Sequence, residues 1–203
     1  DLKKLSSLNN LRELYMQNTG RTTMTAAWAL PGSLEYIELA FNDLSSGTVA
    51  LFDWPKGLRT IGLWGTNVNS STPFFNTTDF SKFTNLEGLN LDKNSISELD
   101  MSNLSNSLKQ LRINSNGVTL DLKAQKGKSP VNLVRVDLGN TQIIDTQSAK
   151  NIIADIQSNA SSEDLTKGFV KFSGLPPGSL SDGNTAARIN SLREDLGWTV
   201  ITP

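Results

Sequence analysis

Leu34-Glu35-Tyr36-Ile37-Glu38-Leu39-Ala40-Phe41-Asn42-Asp43-Leu44 decides how this chain folds. Leu34, Ile37, Leu39, Asn42 and Leu44 spell the pattern L-x-x-L-x-L-x-x-N-x-L. Its centre alternates with period two, as a short strand with one side inward and one side outward would. A single stretch of this length cannot bury its apolar side alone, so the pattern has to recur and stack.

It recurs along most of the chain. Leu86, Leu89, Leu91, Asn94 and Ile96 repeat it in full, as do Leu108, Leu111, Ile113, Asn116 and Val118. Thr stands in place of Asn in three more copies: Leu58, Ile61, Leu63, Thr66, Val68; Leu133, Val136, Leu138, Thr141, Ile143; and Leu11, Leu14, Met16, Thr19. The first residues fall at 11, 34, 58, 86, 108 and 133, at steps of 23, 24, 28, 22 and 25. After each strand the chain turns sharply, and an Asn side chain can pair backbone groups that would otherwise be buried unpaired. Thr has a single hydroxyl, so those three turns are expected to be less regular.

The pattern resembles that of leucine-rich repeat proteins, over about residues 8 to 145. Pro31, Pro55 and Pro130 each stand three residues before their repeat's first Leu, similar to the L-P-x-x-L form of bacterial members. The resemblance implies an α/β solenoid, with a curved parallel β-sheet on its concave face and an irregular or short-helical convex side. Leu2, Leu5 and Leu8 already keep regular spacing, so the chain is expected to begin inside an ongoing pattern.

Beyond the repeats of 1–145, residues 146–203 are expected to carry a degenerate repeat and a helix–strand cap of the same solenoid. Ser148 reads as the N-cap of a helix presenting Ile152, Ile153 and Ile156 on one face. Val170 and Phe172 read as an inward pair on one more strand. Asp182 is placed to cap a helix over 182–196, with Ala186, Ile189, Leu192 and Leu196 inward and Gly197 at its end, followed by a short strand with Trp198 and Val200. Residues 183–202 are also similar to closing segments of repeat proteins from Bacteroidetes-type bacteria and some phage tails.

Composition narrows the chemistry. The chain has 203 residues, 37% of them hydrophobic, with 19 basic and 20 acidic side chains for a net charge of −1. Nothing in that balance draws it to nucleic acid, and no apolar run approaches the roughly 20 residues of a membrane span. His and Cys are both absent, which removes the commonest general base, the thiolate nucleophile and most zinc ligand sets. No cofactor or metal is expected, and the chain reads as no enzyme. Gly127-Lys128-Ser129 ends like a phosphate-binding loop, but Leu122 occupies the position where its first Gly belongs. Sequons at Asn69, Asn76, Asn103 and Asn159 arise readily in a chain rich in Asn, Ser and Thr.

Glu13, Glu35, Glu38, Glu87, Asp92 and Asp137 fall on or near the outward strand positions, interleaved with Arg12, Arg59, Lys93, Lys109, Arg112 and Arg135. Paired carboxylates can hydrolyse glycosides, but this alternation reads instead as solvated charge ladders, with Arg112, Asp137 and Lys171 in successive repeats. Large apolar residues concentrate at the other end: Tyr15, Tyr36, Phe41 and Trp64. Exposed aromatics are enriched in interface centres, which makes Tyr15, Tyr36, Phe41, Trp64, Glu38, Arg112 and Asp137 the candidate ligand-binding residues of the concave face. The alternative is that upstream sequence or the segment around Trp28 covers the rings. Trp54 reads as convex-side core, and Phe74, Phe75, Phe80 and Phe83 as packing of the longest step.

The function expected is a non-catalytic module, on a bacterial cell surface or secreted, that binds a protein or glycan. Two alternatives stand beside it: a structural or host-recognition domain of an assembly such as a phage tail fibre, and the substrate-reading part of an effector enzyme.

Overall fold

A computed structural model describes residues 2–20, 29–45, 54–71, 80–117, 119–143, 145–163 and 165–203, with the side chains of Leu2 and Lys3 excepted. Trp28, Phe74, Phe75, Asn76 and Val118 lie outside the described residues.

The alternating segments become short strands. In chain order they are β1 (Glu13–Tyr15), β2 (Tyr36–Glu38), β3 (Thr60–Gly62), β4 (Gly88–Asn90), β5 (Glu98–Asp100), β6 (Gln110–Arg112), β7 (Thr119–Lys123), β8 (Arg135–Leu138), β9 (Gln142–Ile143), β10 (Phe169–Phe172) and β11 (Thr199–Ile201). Eight of them join in one parallel sheet in the order β1-β2-β3-β4-β6-β8-β10-β11, so the chain is a parallel β-sheet solenoid. Register follows the repeat residue for residue: Leu14, Ile37, Ile61, Leu89, Leu111, Val136, Val170 and Val200 face one another as successive central residues. From Ile37 onward these are buried, and with Leu34, Leu58, Leu86 and Leu108 they form a continuous core. Burying such a side chain stabilises by roughly 1.5–3 kcal/mol before entropy is charged against it.

The expected irregular or short-helical opposite side is only part of what is found. β5, β7 and β9 form a second parallel sheet of three strands. Leu99, Leu120 and Leu122 are its inward residues, and all three are buried. The alternation in Thr119-Leu120-Asp121-Leu122-Lys123 is present in the sequence but lies outside the longer repeat pattern. Phe80 and Phe83 pack the long step as expected, with rings 6.2 Å apart and both buried, and Trp54 is buried as well.

The turns after the strands are held by amides that bridge neighbouring turns. Asn94 is buried; its Oδ1 accepts from the N–H groups of Thr66 (3.0 Å) and Val68 (3.2 Å), and its Nδ2 donates to the carbonyls of Leu63 (2.7 Å) and Leu91 (3.0 Å). Asn42 does the same between Thr19 and the carbonyls of Met16 and Leu39. The Thr turns are therefore not the irregular ones expected. Thr66 and Thr141 are buried and donate to the carbonyls of Leu63 and Ile113, each at 2.8 Å. The amide that Thr19 and Thr66 lack is supplied by the Asn of the following turn.

In the main sheet, the fifth residue beyond the first of β1, β2, β3, β4, β6, β8 and β10 takes a left-handed backbone. This column runs Asn18, Phe41, Gly65, Lys93, Ser115, Asn140 and Gly174, with φ between 51° and 73°. Gly and Asn suit that conformation; Phe does not.

Toward the end of the chain, α1 (Thr146–Ser162) begins earlier and runs longer than the sequence pattern suggested. Its N-cap is Asp145, which accepts from the Gln147 N–H, and not Ser148. Ser148 is buried in the first turn, where its hydroxyl donates to Asp145 (2.6 Å) and accepts from the Ala124 N–H (2.9 Å). Ile152, Ile153 and Ile156 are buried as expected. The loop of Gly127 and Ser129 turns its N–H groups onto the buried Asp155 carboxylate, at 2.7 and 3.1 Å. The phosphate-loop resemblance thus ends in an anion site filled by the chain itself.

α2 (Gly183–Asn190) is capped by Asp182, which accepts from Thr185 N–H at 3.1 Å and pairs with Lys150 of α1 at 2.9 Å. A single π-type turn over Ser191–Asp195 replaces the expected continuous helix, and Gly197 ends it at φ 67°. Ile189 and Leu192 are buried, while Ala186 and Leu196 are half-buried. Trp198 precedes β11 instead of lying in it; it is buried and its indole N–H donates to the Leu165 carbonyl at 2.8 Å.

Candidate functional site

Parallel register turns the outward strand residues into two columns. One reads Glu13, Tyr36, Thr60, Gly88, Gln110, Arg135, Phe169 and Thr199; the other reads Tyr15, Glu38, Gly62, Asn90, Arg112, Asp137, Lys171 and Ile201. The face is therefore graded. Its first two strands are aromatic and acidic, its middle is small and neutral, and its later strands carry Arg112, Arg135 and Lys171.

The four predicted aromatics come together as two pairs. Tyr15 and Tyr36 lie with centroids 4.9 Å apart, and Phe41 and Trp64 with centroids 4.4 Å apart. Tyr15 remains 54% and Phe41 48% exposed; Tyr36 and Trp64 are half-buried by these neighbours. Phe41 reaches Trp64 because of its left-handed backbone, which sends the ring across Gly65 of the next turn. Sequence reasoning identified Phe41 as outward but missed this conformation. Asn18, Gly65, Asn140 and Gly174 at the same repeat position were the available signal.

Glu38 is half-buried and folds over the neighbouring strand. A Cβ on Gly62 would fall inside its carboxylate, so the missing side chain at Gly62 makes the room Glu38 occupies. Burial raises the Glu38 pKa above its ordinary value of 4.5, opposed by hydrogen bonds from Ala40 N–H (3.1 Å) and Tyr36. Tyr15 O–H donates to Glu13 at 2.9 Å. That bond raises the Tyr15 pKa first, with the charges of Glu13 and Glu38 adding to it. Tyr36 is raised chiefly by burial and then by Glu38 and Glu13. Lys93, from the left-handed column, sets its ammonium 5.1 Å from the Trp64 ring centroid.

Arg112 and Asp137 sit side by side in register but are not partners in an ion pair. Arg112 pairs with Asp92 at 2.5 Å, and Asp137 with Arg135 at 3.3 Å. Asp92 and Asp137 are only 5% and 6% exposed, which corrects the solvated-ladder reading for both. They accept from backbone N–H groups, Asp92 from Asn114 at 2.7 Å and Asp137 from Gly139 at 3.2 Å. Arg112 on β6 and Asp137 on β8 are thus separated by β4 from the strands and turns that carry the aromatics, and structural bonding within the turns engages both Asp92 and Asp137. The solvated ladder does exist one residue earlier, where Arg12 pairs with Glu35, and Glu87 with both Arg59 (2.5 Å) and Lys109 (3.2 Å). Arg12, Glu35, Arg59 and Glu87 line a groove of about 540 Å³ together with Gly32, Ser33 and Gly57.

No protein-family model matches this chain, and no curated protein matches it. Among the described residues no helix is long and apolar enough to cross a membrane.

Proposed function

We propose that the chain is a leucine-rich repeat recognition module of the bacterial type. In this reading its outward strands form a concave face that binds a protein or glycan, and α1, α2 and β11 close one end as a cap. It works without catalysis, on a cell surface or in secreted form.

The observation that carries this reading is the pair of aromatic stacks at one end of the face, with Tyr15 and Phe41 about half exposed. Phe41 supports it most. A bulky residue in the left-handed region costs on the order of 1–3 kcal/mol, and five of the six other turns place Asn, Ser or Gly there. The fold does not need that ring; a ligand surface would. The gradient of charge along the two columns gives the same face a direction.

The test is a screen of the intact chain against displayed peptides and arrayed glycans, repeated with Tyr15→Ser/Phe41→Asn. Both side chains are exposed, and Asn suits the left-handed site, so folding should survive. Hits should weaken by about 1 kcal/mol or more, roughly fivefold. Ligands that bind the variant undiminished would refute the aromatic face.

A further inference from the structure

Across this face almost every acid beside a strand already has a cation. Glu35 has Arg12, Glu87 has Arg59 and Lys109, Asp92 has Arg112, and Asp137 has Arg135. Glu13 and Glu38 have none among the described residues, and no basic side chain occupies an outward position of β1 or β2. Register sets Glu13 beside Tyr36 and Tyr15 beside Glu38, so two acids and two rings form a checkerboard. With strands about 4.8 Å apart and two residues spanning about 6.6 Å, the diagonal acids stand on backbones roughly 8 Å apart.

The rings are held within this square. Tyr15 O–H donates to Glu13 at 2.9 Å and the two rings pack on each other at 4.9 Å, while the Glu38 carboxylate stands beside them over Gly62, taking the Ala40 N–H on one oxygen. Aromatic faces attract cations, and more so when carboxylates stand beside them. The neighbouring stack illustrates the chemistry, since Lys93 already lies over Trp64. A neutral sugar would leave two carboxylates without counter-charge, and an acidic glycan would be repelled.

We propose that Tyr15, Tyr36, Glu13 and Glu38 form a subsite for a cationic side chain, Arg or Lys, presented by an extended protein segment. This rests on the recognition role proposed above and names the ligand class. Further along, Arg112 and Arg135 are already paired with Asp92 and Asp137, so an acidic part of the same segment would face Lys171.

The test uses a fluorescein-labelled octa-arginine peptide on the intact chain at about 150 mM salt, where the Debye length is about 8 Å and distant charges are screened. Octa-glutamate and a Gly-Ser octapeptide serve as comparators, with binding read by anisotropy. Glu13→Gln/Glu38→Gln keeps shape and hydrogen bonding while removing both charges, and should weaken octa-arginine at least fivefold. Glu98→Gln/Asp121→Asn, on the second sheet, removes the same charge and should change affinity less than twofold. Equal losses in the two variants, or octa-arginine binding no tighter than the comparators, overturn the subsite. A glycan hit lost with Tyr15→Ser/Phe41→Asn but indifferent to Glu13→Gln/Glu38→Gln would overturn it while leaving the recognition role standing. If no ligand depends on the rings, both fall.

Discussion

Asn94→Ala should be among the most damaging single changes available to this chain. The side chain is buried and its Oδ1 is the partner of two backbone N–H groups, Thr66 and Val68, that lie inside the turn. The carbonyls it serves fare better: Leu63 keeps the Thr66 hydroxyl at 2.8 Å, and Leu91 keeps the Asn116 amide at 3.2 Å. The loss therefore concentrates on two stranded donors. A buried polar group left without a partner costs about 1–3 kcal/mol, so the expected destabilisation is about 2–6 kcal/mol, a large part of the 5–15 kcal/mol typical of a domain. Urea unfolding followed by far-UV circular dichroism measures it. Asn94→Thr makes the comparison sharper, because the chain itself uses Thr at this repeat position. Its hydroxyl can reach the Leu91 carbonyl but not the Thr66 N–H, so two successive Thr turns should remain destabilised by more than 1 kcal/mol. An Asn94→Ala loss below about 1 kcal/mol, or an Asn94→Thr variant as stable as the parent, would refute the amide bridge as the source of turn stability.

Two further outcomes depend on pH. Burial raises the Glu38 pKa, so the folded state binds this proton more tightly than the unfolded chain does; stability falls as pH rises from 4.5 through the raised value, and Glu38→Gln should abolish that component in urea melts at successive pH. Gly62→Ala should drive the carboxylate off its seat and return its pKa toward 4.5, visible by carbon-detected NMR; an unchanged titration would mean Gly62 does not make the seat. Asp182 is shifted the other way, from 3.8 down to about 2, first by Lys150 and then by the Thr185 N–H. Its contribution is present above 3.8 and lost as pH falls toward 2, so the amides of α2 should exchange faster with solvent over that window, and Asp182→Asn should remove the pH dependence.

Most of the main sheet was readable because its cause is local. Period-two alternation puts Ile37 or Leu111 inward whatever the rest of the chain does, and the recurring Asn announces the turn. The second sheet was harder, because its strands lie inside connecting segments whose lengths vary between repeats. Ser favours an N-cap, which points to Ser148, but Asp145 lies three residues earlier with a carboxylate that serves two groups, Gln147 N–H and the Ser148 hydroxyl. At the candidate face, the columns gave the clustering of Tyr15, Tyr36, Phe41 and Trp64. What columns cannot show is a side chain leaving its own strand, as Glu38 does over Gly62, or an acid drawn into a turn by backbone donors, as Asp92 and Asp137 are.

The bridging amides also constrain how such a chain can be cut and lengthened. Thr19 is completed by Asn42 and Thr66 by Asn94, each from the turn that follows. A Thr turn is therefore unfinished without its successor: the transferable unit at 19–42 and 66–94 is a pair, Thr turn first and Asn turn second, whereas Thr141 is completed by the Ser173 hydroxyl. Excision of residues from 86 to 107 would set Thr66 against Asn116 and keep the pairing. Excision from 86 to 132 would set it against Thr141 and break it. Gene duplication or repeat engineering in this chain should accordingly accept joints that leave after each Thr turn an acceptor for its N–H, an Asn as after Thr19 and Thr66 or Ser173 as after Thr141, and reject those that do not.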